Sequence, residues 1–296
     1  MRFSALCFLV VLLLVGKPVF SQQQNGNALL WQISGNGLKK PSYLFGTYHL
    51  LTNRFLDSLP TIRQKFDATE VLVCEMLFDS TAMKQMDKLM APKSKTLDQL
   101  LSASDYKLVS DALENMVGVG LESFNNYNPM AVNLLLDQFL MQMYLPQTTY
   151  KETETGMDLY LQKIAARSGK PVKALETVDV QMNALFGQFS EERQAQMLVD
   201  AVKNIDKSRD EILQSISCYK KQDLPCLDKM LYDDIYKPAE MDVLLYDRNR
   251  AWLKLIPSQI NKESSFIAVG AGHLLSKDGL VEGLKKLGYT LTPVKL

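Results

Sequence analysis

Apolar runs of strand length lie near both ends of this chain. Runs at 29–34, 42–45 and 71–76 come first, 171–175 stands alone, and 266–269 and 289–294 come last. The long stretches between them carry helical spacing, clearest at 97–117, 129–143, 157–168, 190–203, 239–256 and 274–287. A sheet made from such runs must draw strands from both ends of the chain, so the fold has to bring the ends together. The run 71–74 (Val-Leu-Val-Cys) is apolar without alternation, as a strand covered on both faces requires. The prediction is an α/β protein, with α+β as the variant: a central sheet of N- and C-terminal strands and a large helical insertion or cap over about 79–155.

Composition narrows the class. Lys plus Arg and Asp plus Glu are equal at 33 each, which leaves no excess charge for nucleic acid or anionic lipid. The N-terminus reads as a secretory signal over residues 1–21. Arg2 precedes an apolar stretch from Ala5 to Val15, too short for a bilayer helix of about 20 residues, and Val19-Phe20-Ser21 offers a cut before Gln22. An uncleaved anchor is the alternative. The expected mature chain, 22–296, is one exported domain without stable membrane insertion. Export makes Cys218 and Cys226, which enclose a short Pro-containing loop, a plausible disulfide, with two free thiols as the alternative. Cys74 sits in an apolar strand and reads as a buried thiol rather than a nucleophile. The methionines from Met76 to Met143 read as gap-filling core, with an adaptable groove as the other reading.

The chain has only two histidines, and both follow a glycine by three positions at the end of an expected strand: Gly46-Thr47-Tyr48-His49 and Gly270-Ala271-Gly272-His273. With 15 glycines in 296 residues, a histidine has glycine at that spacing about 5% of the time, so two matches are well under one in a hundred by chance. Open α/β sheets put their crevices at the carboxyl ends of strands, so both rings are expected at one site. A dinucleotide fingerprint fails, because its third glycine would fall at Leu275. Glu75 ends an apolar strand, where a carboxylate is costly unless paired or exposed, and Glu176 ends another after Leu175. Two carboxylates and two imidazoles can hold a divalent cation with an open position for water, or work without metal as a base and its orienting partner. Arg248, in Tyr246-Asp247-Arg248-Asn249-Arg250, reads either as part of a surface salt-bridge cluster or as a cation for a substrate carboxylate or oxyanion. Asp158 reads as a first-turn helix charge. Serine-centred hydrolysis lacks its motif, since no Gly-x-Ser-x-Gly occurs.

The two Gly-x-x-His segments, Glu75, Gly156-Met157-Asp158, Gly169-Lys170-Pro171-Val172, Leu175-Glu176-Thr177, Arg248-Asn249 and the tail from Asp278 to Leu291 together resemble the TraB/PrgY/GumN family, which includes the TIKI proteins. The resemblance covers nearly the whole mature chain and is weakest over 79–150. It implies a metal-dependent peptidase acting on a peptide or protein, with the family's paired histidines and glutamate at His49, His273 and Glu75 and its arginine at Arg248. More distant similarity reaches the erythromycin esterases and haem-binding proteins. The family often carries a second acidic residue two positions after the glutamate, where this chain has Leu77.

The expected function is an exported hydrolase. His49, Glu75 and His273 would bind a divalent metal ion or activate water, Arg248 would stabilise substrate charge, Glu176 would be a partner or base, and the helical cap would select the substrate. The alternatives are a haem- or peptide-sequestering module without turnover and a metal-independent esterase.

Overall fold

The computed structural model describes residues 28–80, 82, 84, 91, 94–144, 155–231 and 237–296. The expected leader lies outside them, as do 85–90 and 145–154 of the expected cap. All six expected strands form: β1 (Leu30–Ser34), β2 (Ser42–Thr47), β3 (Val71–Cys74), β4 (Val172–Ala174), β5 (Ser265–Gly270) and β6 (Thr290–Pro293). They make one sheet in the order β4-β3-β5-β2-β1-β6. The first four strands run parallel, and β1 and β6 add antiparallel at the far edge. The α/β class holds, and the two ends of the chain meet where β2 pairs with β5.

The longer helices are α1 (Pro60–Asp67), α2 (Ala103–Val117), α3 (Pro129–Tyr144), α4 (Met157–Arg167), α5 (Glu191–Lys203), α6 (Ile205–Lys220), α7 (Leu224–Met230), α8 (Asp247–Lys262) and α9 (Leu280–Lys286). Successive strand residues point to opposite faces, so each strand feeds two cores. Leu30, Phe45, Leu72 and Phe266 pack with Phe66 of α1, Leu161 of α4 and Tyr219 of α6. Trp31, Leu44, Val73 and Ile267 pack on the other face with Trp252 and Ile256 of α8 and Leu284 of α9. This two-faced cover is why β2, β3 and β5 are apolar without alternation.

A separate helical core joins Val109 and Leu113 of α2, Val132 and Leu136 of α3, and Leu198 and Val202 of α5. The helical layer therefore also draws on α5, beyond the 79–155 block. The expected helix over 97–117 is broken: Leu97–Leu100 is its own turn, and Ser102 caps α2 by accepting the Asp105 N–H at 3.1 Å. Met76 and Met130 are core residues, whereas Met143 is exposed. Cys218 and Cys226 are bonded and tie the end of α6 to α7, and Cys74 is free and buried. Among the described residues no helix is long and apolar enough to cross a membrane.

Candidate active site

Four adjacent parallel strands end at the same edge of the sheet, and each delivers one expected site residue. Across that edge Glu176 follows β4, Glu75 follows β3, His273 follows β5 and His49 follows β2. The parallel register pairs Thr47 with Gly270, so both histidines leave neighbouring strands just beyond paired positions. The Glu75 carbonyl accepts the Glu176 N–H at 2.9 Å, which sets the two carboxylates side by side. The glycines serve close approach rather than left-handed backbone. A Cβ on Gly46 would stand 3.0 Å from the Ala271 Cα, and one on Gly270 would stand 3.3 Å from Glu75 Oε1.

Arg248, in the first turn of α8, closes this edge. Its Nη2 donates to Glu75 Oε2 at 2.6 Å and Glu176 Oε1 at 2.7 Å, and its Nε to Glu176 Oε1 at 3.1 Å. Its Nη1 donates to the Leu244 carbonyl at 3.0 Å and meets His273 Nε2 at 3.0 Å. The guanidinium also lies 4.8 Å from the Trp252 ring centroid. Leu244 belongs to a single π-helical turn, Asp242–Tyr246, just before α8, a local widening often found at functional sites. All five guanidinium N–H bonds are thereby directed at protein acceptors.

His273 is buried in a 3₁₀ turn, Ala271–Leu274. Because its Nε2 faces an arginine donor, the proton belongs on Nδ1, which donates to Asn249 Oδ1 at 2.7 Å. Burial lowers its pKa to about 4, with Glu75 opposing and Arg248 adding. The ring is thus neutral at pH 7, and Arg248 is the cation that counts for the carboxylates there. Burial pushes Glu75 up, but the charges of a protonated His273 and of Arg248, with the Gly270 N–H at 2.7 Å, outweigh it and hold the carboxyl below its usual range. Gln181 adds a 2.9 Å bond to Glu75 Oε2. Glu176 goes the other way: burial raises it, Arg248 opposes, and the neighbouring Glu75 charge adds to the rise.

His49 differs from His273 in being open to solvent. Crowding by surrounding protein lowers its pKa and the Glu75 charge opposes this; exposure leaves the ring hydration that moderates the effect. Asp158, expected only as a helix-end charge, does start α4, but Thr47 Oγ1 also donates to its Oδ1 at 2.6 Å. Gln181 is the site residue that sequence reasoning missed, and Asn249 and Thr47 stood in recognised segments without a role of their own. Asn249 stands in the Arg248-Asn249 pair that carries part of the resemblance; it is fully buried and also donates to the His273 and Asp278 carbonyls.

The expected metal shell of His49, Glu75 and His273 does not fit this arrangement. His273 Nε2 and Glu75 Oε2 both face the Arg248 guanidinium, and Glu75 Oε1 takes the Gly270 N–H. Among the described residues no three His, Cys, Asp or Glu side chains form a group that could hold a metal ion. The guanidinium charge stands against two of the three expected ligands. Cys74 is no nucleophile either, since burial first, with Asp158 and Glu75 adding, pushes its thiol up to about 12.

These features define an α/β protein with an imidazole–carboxylate–arginine cluster at the carboxyl edge of a parallel sheet. The chain belongs to the TraB/PrgY/gumN family, which matches residues 29–293. Similar curated proteins include the metalloprotease TIKI2 of Danio rerio, 23% identical over 92% of this chain and 62% of the relative. The metalloprotease TIKI homologues of Amphimedon queenslandica and Nematostella vectensis are each 24% identical, over 92% of this chain and 62% and 68% of the relatives. The chain spans about 62% of the length of the first two of these relatives. No solved structure matches the chain.

Proposed function

We propose that this chain is an exported hydrolase of the peptidase kind, acting on a peptide or protein at the carboxyl edge of its sheet through the two Gly-x-x-His turns. The observation that carries the reading is the delivery of Glu176, Glu75, His273 and His49 by four consecutive parallel strands to one edge, beneath Arg248. The metalloprotease names of relatives that align over nine-tenths of the chain support the reaction class. The leader over residues 1–21 and the Cys218–Cys226 bond support export, because such bonds persist in oxidising compartments.

In this reading the two histidines divide the work. His49, open and largely neutral at pH 7, accepts a proton from water as it attacks the scissile carbonyl. His273, with both nitrogens engaged, keeps Arg248 in place, and the Arg248 charge favours the developing oxyanion. Glu75 and Glu176 fix the guanidinium at the strand ends.

The test is cleavage of a pool of fluorogenic peptides by the mature protein, beside His49→Ala and His273→Ala, with and without chelator, and with metal analysis of each sample. Cleavage lost in His49→Ala supports the reading, and full cleavage in that variant overturns it. Chelator-sensitive cleavage with bound metal would mean that Arg248 withdraws to admit a cation. Hydrolysis of esters but not peptides moves the protein to the esterase class. A Soret band with added haem, lost in either variant and without turnover, moves it to sequestration.

A further inference from the structure

Asp158 is the carboxyl of this site that Arg248 does not hold. It lies in the first turn of α4, is half-buried, and accepts a hydrogen bond from the Thr47 hydroxyl at 2.6 Å. Its segment is fastened to the turn carrying His49. The Tyr48 N–H points to Met157 Sδ at 3.5 Å, the Asn53 N–H donates to the Thr155 carbonyl at 2.9 Å, and the Thr155 N–H donates to Asn53 Oδ1 at 3.0 Å. Thr52 and Gly156 add an antiparallel bridge. Segments 47–53 and 155–158 are therefore one mount, which fixes His49 and Asp158 relative to each other.

We infer that Asp158 is a proton-transfer group of the cleft, supplying the leaving group from the His49 side; this rests on the hydrolase reading. The groups around it leave one charge facing it. Cys74 and Glu75 approach from the end of β3 and Tyr219 from α6, while His49 lies on the adjoining turn. Burial keeps the Cys74 thiol and the Tyr219 phenol neutral, so the ionised Glu75 is the charge that acts on Asp158. Burial first, and then Glu75, raise Asp158 to about 6, with the Thr47 hydroxyl opposing. A helix-end charge alone would be pulled downward by the helix dipole.

The protons balance as follows. Water gives a proton to His49 as its oxygen bonds to the scissile carbon. The C–N bond then breaks and the departing nitrogen takes the Asp158 proton, leaving a carboxylate. The His49 imidazolium returns a proton to Asp158 through solvent. Protonated Asp158 is required, so activity falls as the pH rises through about 6. Neutral His49 is required, so activity falls again in more acid solution, below its lowered pKa. The pH optimum is mildly acidic.

The experiment is ¹³C NMR of the mature protein labelled at aspartate Cγ, with peptide-pool cleavage followed against pH in parallel. Asn at 158 still accepts the Thr47 hydrogen bond, so Asp158→Asn retains the mount. The resonance absent from Asp158→Asn should titrate near pH 6, and its midpoint should fall in Glu75→Gln. Asp158→Asn should lower kcat by about 10²–10⁴ with KM little changed and remove the limb near pH 6, while Asp158→Glu should restore part of the rate. A midpoint near 4 overturns the assignment of Asp158, as does an unchanged pH profile in Asp158→Asn. A wild-type protein that hydrolyses neither peptide nor ester overturns the hydrolase reading and the leaving-group role with it, a failure distinct from a wrong midpoint.

Discussion

Replacing Arg248 by Met tests the electrostatic architecture of the site most directly. In the wild type one guanidinium serves Glu75, whose side chain is 16% exposed, and Glu176, whose side chain is 4% exposed. Removing one partner of a buried ion pair costs about 3–5 kcal/mol, because the remaining charge stays desolvated. Here two carboxylates are left, and the contact with the Trp252 ring is lost as well, so we expect about 4–5 kcal/mol at pH 7. At about 2–4 °C per kcal/mol for a chain of this size, the melting temperature should drop by roughly 8–20 °C. The sign with pH follows from Glu75. Its folded pKa lies below the usual carboxylate value, so its contribution is present above that value and lost as the pH falls through the depressed one. Without Arg248 both carboxyls take up protons more readily, and the deficit should shrink toward pH 4.5. Urea unfolding at pH 7 and 4.5, with Glu75→Gln/Glu176→Gln added to Arg248→Met, measures this. A loss under about 1 kcal/mol at pH 7, or no recovery in the triple variant, refutes the reasoning.

Three further outcomes follow from the same geometry. His273 is neutral when folded, with a pKa of about 4 against an ordinary 6.5, so the unfolded chain binds the proton first. Stability should fall by roughly 3 kcal/mol as the pH drops from 6.5 toward 4, and His273→Gln should flatten that dependence in urea titrations. Gly46→Ala places a Cβ 3.0 Å from the Ala271 backbone and should cost roughly 1–3 kcal/mol, whereas Gly156→Ala meets nothing within 4 Å and should be near neutral. Cys218→Ala/Cys226→Ala should lose roughly 2–3 kcal/mol from the short loop that it opens. The same pair should loosen the His49 turn, because Tyr219, next to Cys218, donates to the Gly46 carbonyl at 2.6 Å and stacks on Tyr48; histidine ring NMR would show an unmoved His49 signal if that coupling is absent.

The strands and the paired histidines were legible because both are local signals. Short runs rich in apolar and β-branched residues identify the strands, several with glycine or proline beside them, and the repeat of glycine with histidine three positions on marks two of their ends. Glu75 and Glu176 were legible for the same reason, as acids closing apolar runs. The break before α2 was missed because helical spacing outweighed the cap signal at Ser102. The reason for the site glycines also differed: neither Gly46 nor Gly270 has positive φ, and each makes room for a neighbouring element that sequence cannot name.

By itself, then, the sequence determined which side chains stand at strand ends, since that needs only period, punctuation and charge read over a few residues. The tertiary structure alone decided what those side chains do to one another. Arg248 reaches Glu75 across 173 positions, Glu176 across 72 and His273 across 25, and Thr47 reaches Asp158 across 111. Helical spacing tells which face of α8 or α4 turns inward but not which strand ends it meets. Arg248 thus becomes the clasp of two buried carboxylates rather than a surface charge, and Asp158, in the first turn of α4 as expected, also takes the Thr47 hydroxyl. Both outcomes are set by desolvation and charge at distances of about 3 Å, which exist only once the ends of the chain have joined in one sheet.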